Sequence, residues 1–113
     1  MATTTYKILG QSNPSATTET ALYTVPSTTS TVISTLTVCN QSSSAATYRI
    51  AVVPSADAGS PAAAKHWIVY GATVGGSDST ALTLGITLAS GDSVRVYAST
   101  ANLSFSAFGS EVA

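Results

Sequence analysis

Apolar and polar side chains alternate almost without a break through residues 80–111, TALTLGITLASGDSVRVYASTANLSFSAFGSE. Leu82, Leu84, Ile86 and Leu88 alternate with Thr83, Gly85 and Thr87, and Ser90-Gly91-Asp92 interrupts. Val94, Val96 and Ala98 then alternate with Arg95, Tyr97 and Ser99. After Ala101-Asn102, Leu103, Phe105 and Ala107 repeat the spacing. A period of two sends one set of side chains to one face of a sheet, whereas a helix needs 3.6. The stretch predicts a meander of three strands joined by tight turns. Its apolar face has to be buried, so the rest of the chain must supply a second sheet.

The remaining segments read the same way. Tyr6-Lys7-Ile8-Leu9 is a short strand ended by Gly10, and Asn13-Pro14 marks a loop. Residues 21–25 form a strand stopped by Pro26. Residues 31–39 predict a strand with Val32, Ser34, Leu36 and Val38 on one face and Ile33, Thr35, Thr37 and Cys39 on the other. Residues 40–44, NQSSS, read as a hairpin loop. Residues 47–53 return with Tyr48, Ile50 and Val52 opposite Arg49, Ala51 and Val53, and Pro54 ends the pairing. Residues 55–63, SADAGSPAA, are an unpatterned loop. Residues 64–70 predict a strand with His66, Ile68 and Tyr70 opposite Lys65, Trp67 and Val69, and Gly75-Gly76-Ser77-Asp78 turns the chain into the alternating stretch. The reading is an all-β fold, an antiparallel two-sheet β-sandwich of about eight short strands with almost no helix. A jelly roll and a simpler sandwich remain alternatives.

With 113 residues, the chain reads as a single domain, 1–113, carrying a short N-terminal arm over residues 1–7. Only 8% of residues are charged and the net charge is −1. Lys7, Arg49, Lys65 and Arg95 are dispersed, so neither a nucleic-acid partner nor a membrane is expected. A surface rich in Ser, Thr and Ala has little rotamer entropy to lose on contact, which suits permanent assembly. A single cysteine, Cys39, excludes an internal disulfide. MATTTYKILG lacks the apolar core of a signal peptide, and no apolar run is long enough to span a bilayer. Synthesis in a cytoplasm is expected.

Catalytic chemistry finds little to use. His66 is the only histidine, no GxSxG elbow surrounds a serine, and Cys39 with His66 cannot complete a metal site of three or four ligands. The expectation is no enzyme, no metal and no cofactor, with His66 a half-exposed strand residue and Cys39 a small buried one. Asp57, Asp78 and Asp92 fall in turns, where a carboxylate commonly accepts from nearby backbone N–H groups. Regular alternation puts Trp67 and Tyr70 on opposite faces of their strand, which argues against a sugar-binding platform and leaves Trp67 as a protein-interface anchor. The glycines at 75, 76 and 91 precede no helix, so they do not form a phosphate loop.

Several phrases resemble known proteins: residues 9–27, LGQSNPSATTETALYTVPS; 34–43, STLTVCNQSS; 47–56, TYRIAVVPSA; 63–70, AAKHWIVY; and 82–111, LTLGITLASGDSVRVYASTANLSFSAFGSE. In that order they resemble small β-rich virion proteins, and domains of larger ones, from tailed bacteriophages, cyanophages included. The resemblance implies a non-enzymatic virion structural protein synthesised in the host cytoplasm. For a chain of one domain it implies a capsid cement (decoration) protein on the capsid exterior. Its partner would be the major capsid protein, and it would form a dimer or trimer. Candidate interface residues are Tyr6 and Lys7 in the arm, Asp57 in the loop, and Lys65 and Trp67 beside it. Two alternatives stand: a tail, baseplate or fibre-associated virion protein contacting tail proteins, and a carbohydrate-binding module used in host adsorption.

Overall fold

A computed structural model describes residues 3–113. Eight strands form two four-stranded antiparallel sheets: β1 (Thr4–Ser12), β2 (Thr20–Thr24), β3 (Ser30–Asn40), β4 (Ala46–Val53), β5 (Trp67–Val74), β6 (Ser79–Leu88), β7 (Ser93–Ala98) and β8 (Leu103–Val112). Sheet I has the order β1-β8-β3-β6 and sheet II the order β2-β7-β4-β5. The eight strands and this order are those of a jelly roll. Among the described residues the only other regular pieces are two single turns of 3-10 helix, Ser55–Asp57 and Ala64–His66.

The strands predicted in residues 80–111 are present, but they are not a meander. β6 and β8 belong to sheet I and β7 to sheet II, so the chain changes sheet at each turn. The NQSSS loop likewise joins β3 in sheet I to β4 in sheet II and is a crossover, not a hairpin. Alternation reports which side of a strand is apolar; it carries no information on which strand lies alongside. Side chains fix two of these crossovers. Asp92 accepts from Ala89 N–H and Ser55 N–H, both at 2.9 Å. Asn40, almost fully buried, donates to the Ser44 carbonyl at 2.8 Å and accepts from Ser42 N–H at 3.0 Å. Such bonds satisfy backbone groups that the turn leaves unpaired.

The core lies between the sheets. Ile33, Leu36, Val38, Leu103, Phe105 and Ala107 face it from sheet I, and Tyr48, Ile50, Val94, Val96 and Ala98 from sheet II. Phe105 and Tyr48 meet edge-on across the gap, with ring centroids 6.2 Å apart. Alternation fails in β3, where the register shifts between Ile33 and Thr35. This bulge spends one extra residue, so Ile33 joins Leu36 and Val38 inside while Val32 turns outward. Gly109 lies opposite Ile33 on β8, and a Cβ there would collide with the Val32 carbonyl oxygen. Cys39, expected inside, is exposed.

The proposed arm is a strand from Thr4 on. Thr4 to Lys7 pair with Val112 to Gly109, and Thr3 and Ala113 exchange backbone hydrogen bonds at 2.8 and 3.0 Å. The first two residues of the predicted arm lie outside the described residues.

At this end of the sandwich, a side-chain network ties the sheets together. Tyr23 Oη of β2 donates to Glu111 Oε2 of β8 at 2.5 Å and lies 2.8 Å from buried Thr31 Oγ1; Lys7 Nζ donates to Glu111 Oε1 at 3.1 Å. Burial, followed by the hydrogen bond to the carboxylate, pushes the Tyr23 phenol up to about 12. The hydrogen bond from Tyr23, then that from Lys7, holds the Glu111 carboxyl below its usual value. Because folding favours the protonated phenol, this contribution is complete below pH 10, where unfolded tyrosine titrates, and disappears between about pH 10 and 12. Urea unfolding from pH 8 to 12 is expected to show an alkaline loss of about 2–3 kcal/mol. Buried Tyr48, also raised by desolvation, adds to that loss. Tyr23→Phe should reduce the alkaline slope; an unchanged slope would mean that Tyr23 contributes nothing to it.

Candidate functional site

Two surfaces stand out, one on the outside of each sheet. On sheet I, strand pairing sets side chains in rows. Tyr6, Ser110, Val32 and Thr87 form one row; Ile8, Phe108, Thr35 and Thr83 form the next; Gln11, Ser106, Thr37 and Ala81 follow. No Lys, Arg, Asp or Glu occupies these positions. Tyr6 is 84% exposed, Ile8 54% and Val32 40%. Tyr6, Val32 and Phe108, with Ser34, Gly109 and Ser110, line a shallow depression of about 340 Å³. Lys7 borders the depression from the edge strand, with its ammonium paired to Glu111 at 3.1 Å.

The outside of sheet II is divided in two. One half lies under residues 54–66, of which the sequence presents 55–63 as an unpatterned loop and 64–66 as the start of a strand. The loop is fastened. Arg95 on β7 donates to Glu19 at 2.7 Å and to the carbonyls of Ser60 and Ala58 at 2.6 and 2.9 Å. Glu19 in turn accepts from Ala62 N–H at 3.2 Å. Beneath this strap, Ala51 and Val53 are fully buried although they point away from the core.

His66 is buried, not half-exposed, and belongs to a 3-10 turn instead of a strand. Its Nδ1 accepts from Ala63 N–H at 2.8 Å, so the neutral ring carries its proton on Nε2 and donates to Asp57 Oδ2 at 3.0 Å. Asp57 also lies 3.8 Å from exposed Lys65. His66 therefore closes a loop, and among the described residues no group of three or more His, Cys, Asp or Glu is arranged to hold a metal ion. Asp78 accepts from Ser79 N–H at 2.8 Å, the turn chemistry anticipated for it.

The other half of the sheet II face carries an aromatic cluster. Cross-strand pairing puts Tyr70 on β5, Arg49 on β4 and Tyr97 on β7 in one row. The Arg49 guanidinium carbon lies 4.1 Å from the Tyr70 ring centroid and 4.3 Å from that of Tyr97. Trp67 stands 5.6 Å from Tyr70 at an interplanar angle of 73° and 5.9 Å from the Arg49 carbon. Trp67 and Tyr70 thus share a face, against the expectation from alternation. The register shifts between Ile50 and Ala51, where Ile68 is the unpaired extra residue opposite them. A second shift follows at Gly71, whose φ of +80° suits glycine.

The interface candidates therefore fall into two groups. Tyr6 belongs to the uncharged face of sheet I and Lys7 to the Glu111 network. Asp57, Lys65 and Trp67 come together on the sheet II side. Sequence reasoning missed Arg49 as a site residue. Its signals were the outward parity that Arg49 and Tyr97 share and a glycine inside β5, which marks a bulge.

Compared with protein-family models, with curated proteins and with solved structures, the chain matches none of them.

Proposed function

We propose that the chain is a non-enzymatic virion structural protein, a cement protein that binds the outside of a phage head and stabilises contacts between major capsid subunits. The observation that carries this reading is the uncharged outer face of sheet I. Four strands about 4.8 Å apart and some ten residues long give a face of about 600 Å². That approaches the roughly 800 Å² which each partner buries in a stable interface. Clustered exposed apolar side chains on such a face often mark an interaction site. Tyr6, Ile8, Val32 and Phe108 supply apolar contact, and the Ser and Thr between them add hydrogen bonds while losing little entropy on ordering.

The resemblance to virion proteins agrees with this reading. Jelly rolls serve in viral shells and in lectins alike, so the fold alone does not choose between them. A ligand of the assembled state stabilises it by mass action, and many copies acting together reinforce a shell. Self-association into dimers or trimers matches lattice symmetry.

Immunogold labelling of intact particles of the parent phage tests the reading. Gold spread over the head supports it; gold confined to the tail replaces it with a tail or baseplate role. On heads, Ile8→Asp is expected to lower occupancy at least tenfold with the melting temperature nearly unchanged, because Ile8 is exposed. Full occupancy by this variant would remove sheet I as the contact.

A further inference from the structure

The chain has four Lys and Arg residues, and the described ion pairs engage three of them: Lys7 with Glu111, Lys65 with Asp57, and Arg95 with Glu19. Arg49 has no carboxylate partner among the described residues. Its guanidinium carbon lies 4.1 Å from the Tyr70 ring centroid and 4.3 Å from that of Tyr97. A cation–π contact needs no N–H donor, so the donors of the guanidinium remain for a ligand. A planar fork of donors matches a carboxylate through two parallel hydrogen bonds. Beside it, Trp67 and Tyr70 form a corner over a depression of about 460 Å³, also lined by Ala64. That volume lies within the range of small-molecule sites, about 300–1,000 Å³. Tyr70 is 64% exposed, so part of its ring is open to solvent. One step along the sheet, Thr47 and Thr73 are paired and exposed, placing two hydroxyls next to the row.

We infer that this cluster is a binding site for an acidic glycan, with Trp67 and Tyr70 packing on a sugar ring and Arg49 binding a uronate carboxylate. The C–H bonds on one face of a pyranose are weakly positive and meet the negative face of an aromatic ring. The hydroxyls at the ring edge find Thr47 and Thr73. Nucleic acid also stacks on aromatic rings, but its backbone needs a track of cations, and only one unpaired cation lies here. The bulge at Ile68 is what turns Trp67 and Tyr70 to the same side, and the same strand carries both rings. The site lies on the sheet opposite the proposed capsid contact and does not depend on it. A virion component built this way would display its glycan site while sheet I is covered.

Trp67 is the only tryptophan, so its fluorescence reports on the site directly. Titration with oligogalacturonate is expected to give a saturable shift, with a neutral malto-oligosaccharide at least tenfold weaker. Arg49→Met should abolish the preference for the acidic sugar, and Arg49→Lys should weaken binding about tenfold, since a point charge lacks the fork. Tyr70→Ala should weaken both sugars, with melting temperature measured for each variant. Three results would overturn the inference: no saturable change with oligogalacturonate, equal binding of both sugars by the wild type and Arg49→Met, or preferential binding of oligodeoxythymidylate.

Discussion

Phe105→Ala is expected to cost about 3–5 kcal/mol, a large part of the roughly 5–15 kcal/mol that holds a domain of this size folded. Phe105 is completely buried in β8, with Leu36 and Val38 on the neighbouring strand and Tyr48 edge-on across the sandwich. Truncation removes the transfer free energy of a benzyl group and opens a cavity that two sheets, each held rigid by its ladder, can only partly close. It also removes the aromatic pair, worth about 0.5–1.5 kcal/mol beyond area. Phe105→Leu keeps most of the volume and should cost less than half as much. Urea unfolding followed by circular dichroism checks this, with the slope expected to stay constant because the unfolded surface hardly changes. A loss below about 1 kcal/mol would mean that the sheets collapse onto the gap, and the jigsaw account of this core would fail.

The residues behind that prediction were legible from alternation alone. Leu103, Phe105 and Ala107 share one side of β8, and Tyr48 and Ile50 one side of β4, as their spacing requires. Three things were not legible. Neighbouring strands are chosen by long-range pairing, and nothing local in Ser90-Gly91-Asp92 distinguishes a hairpin from a crossover. Bulges at Ser34, Ile68 and Gly71 shift parity by one residue, and each exchanges inside for outside beyond it. That is why Val32 emerges on sheet I and why Trp67 joins Tyr70. Finally, a loop of small residues reads as free because its anchors lie elsewhere in the chain. Glu19 and Arg95 are both more than 30 positions away from the carbonyls and N–H groups they hold. Arg49 was hidden for a related reason. One charge on a strand is unremarkable until its neighbours across the sheet prove to be tyrosines.

Arg95→Ala is expected to release the loop over sheet II and to cost about 3 kcal/mol. The guanidinium is largely buried and satisfies three acceptors, the Glu19 carboxylate and the carbonyls of Ala58 and Ser60. Removing it leaves the partly buried Glu19 carboxylate without its partner, and losing one partner of such a pair costs more than the pair itself contributes. Arg95→Lys should recover only part of the loss, because an ammonium cannot span acceptors arranged around a planar fork. The released loop would expose Ala51 and Val53 and free the Asp57–His66 pair to fray. Hydrogen exchange across residues 54–66 should accelerate at least tenfold, while β3 and β8 in the middle of sheet I stay protected. Because Trp67 follows the loop directly, the oligogalacturonate response should weaken in this variant. The proposed binding to phage heads should persist, since the face assigned to it belongs to the other sheet. Loss of both activities together would mean that the two faces are coupled through the core; unchanged exchange would mean that apolar packing of the loop, and not Arg95, keeps it closed.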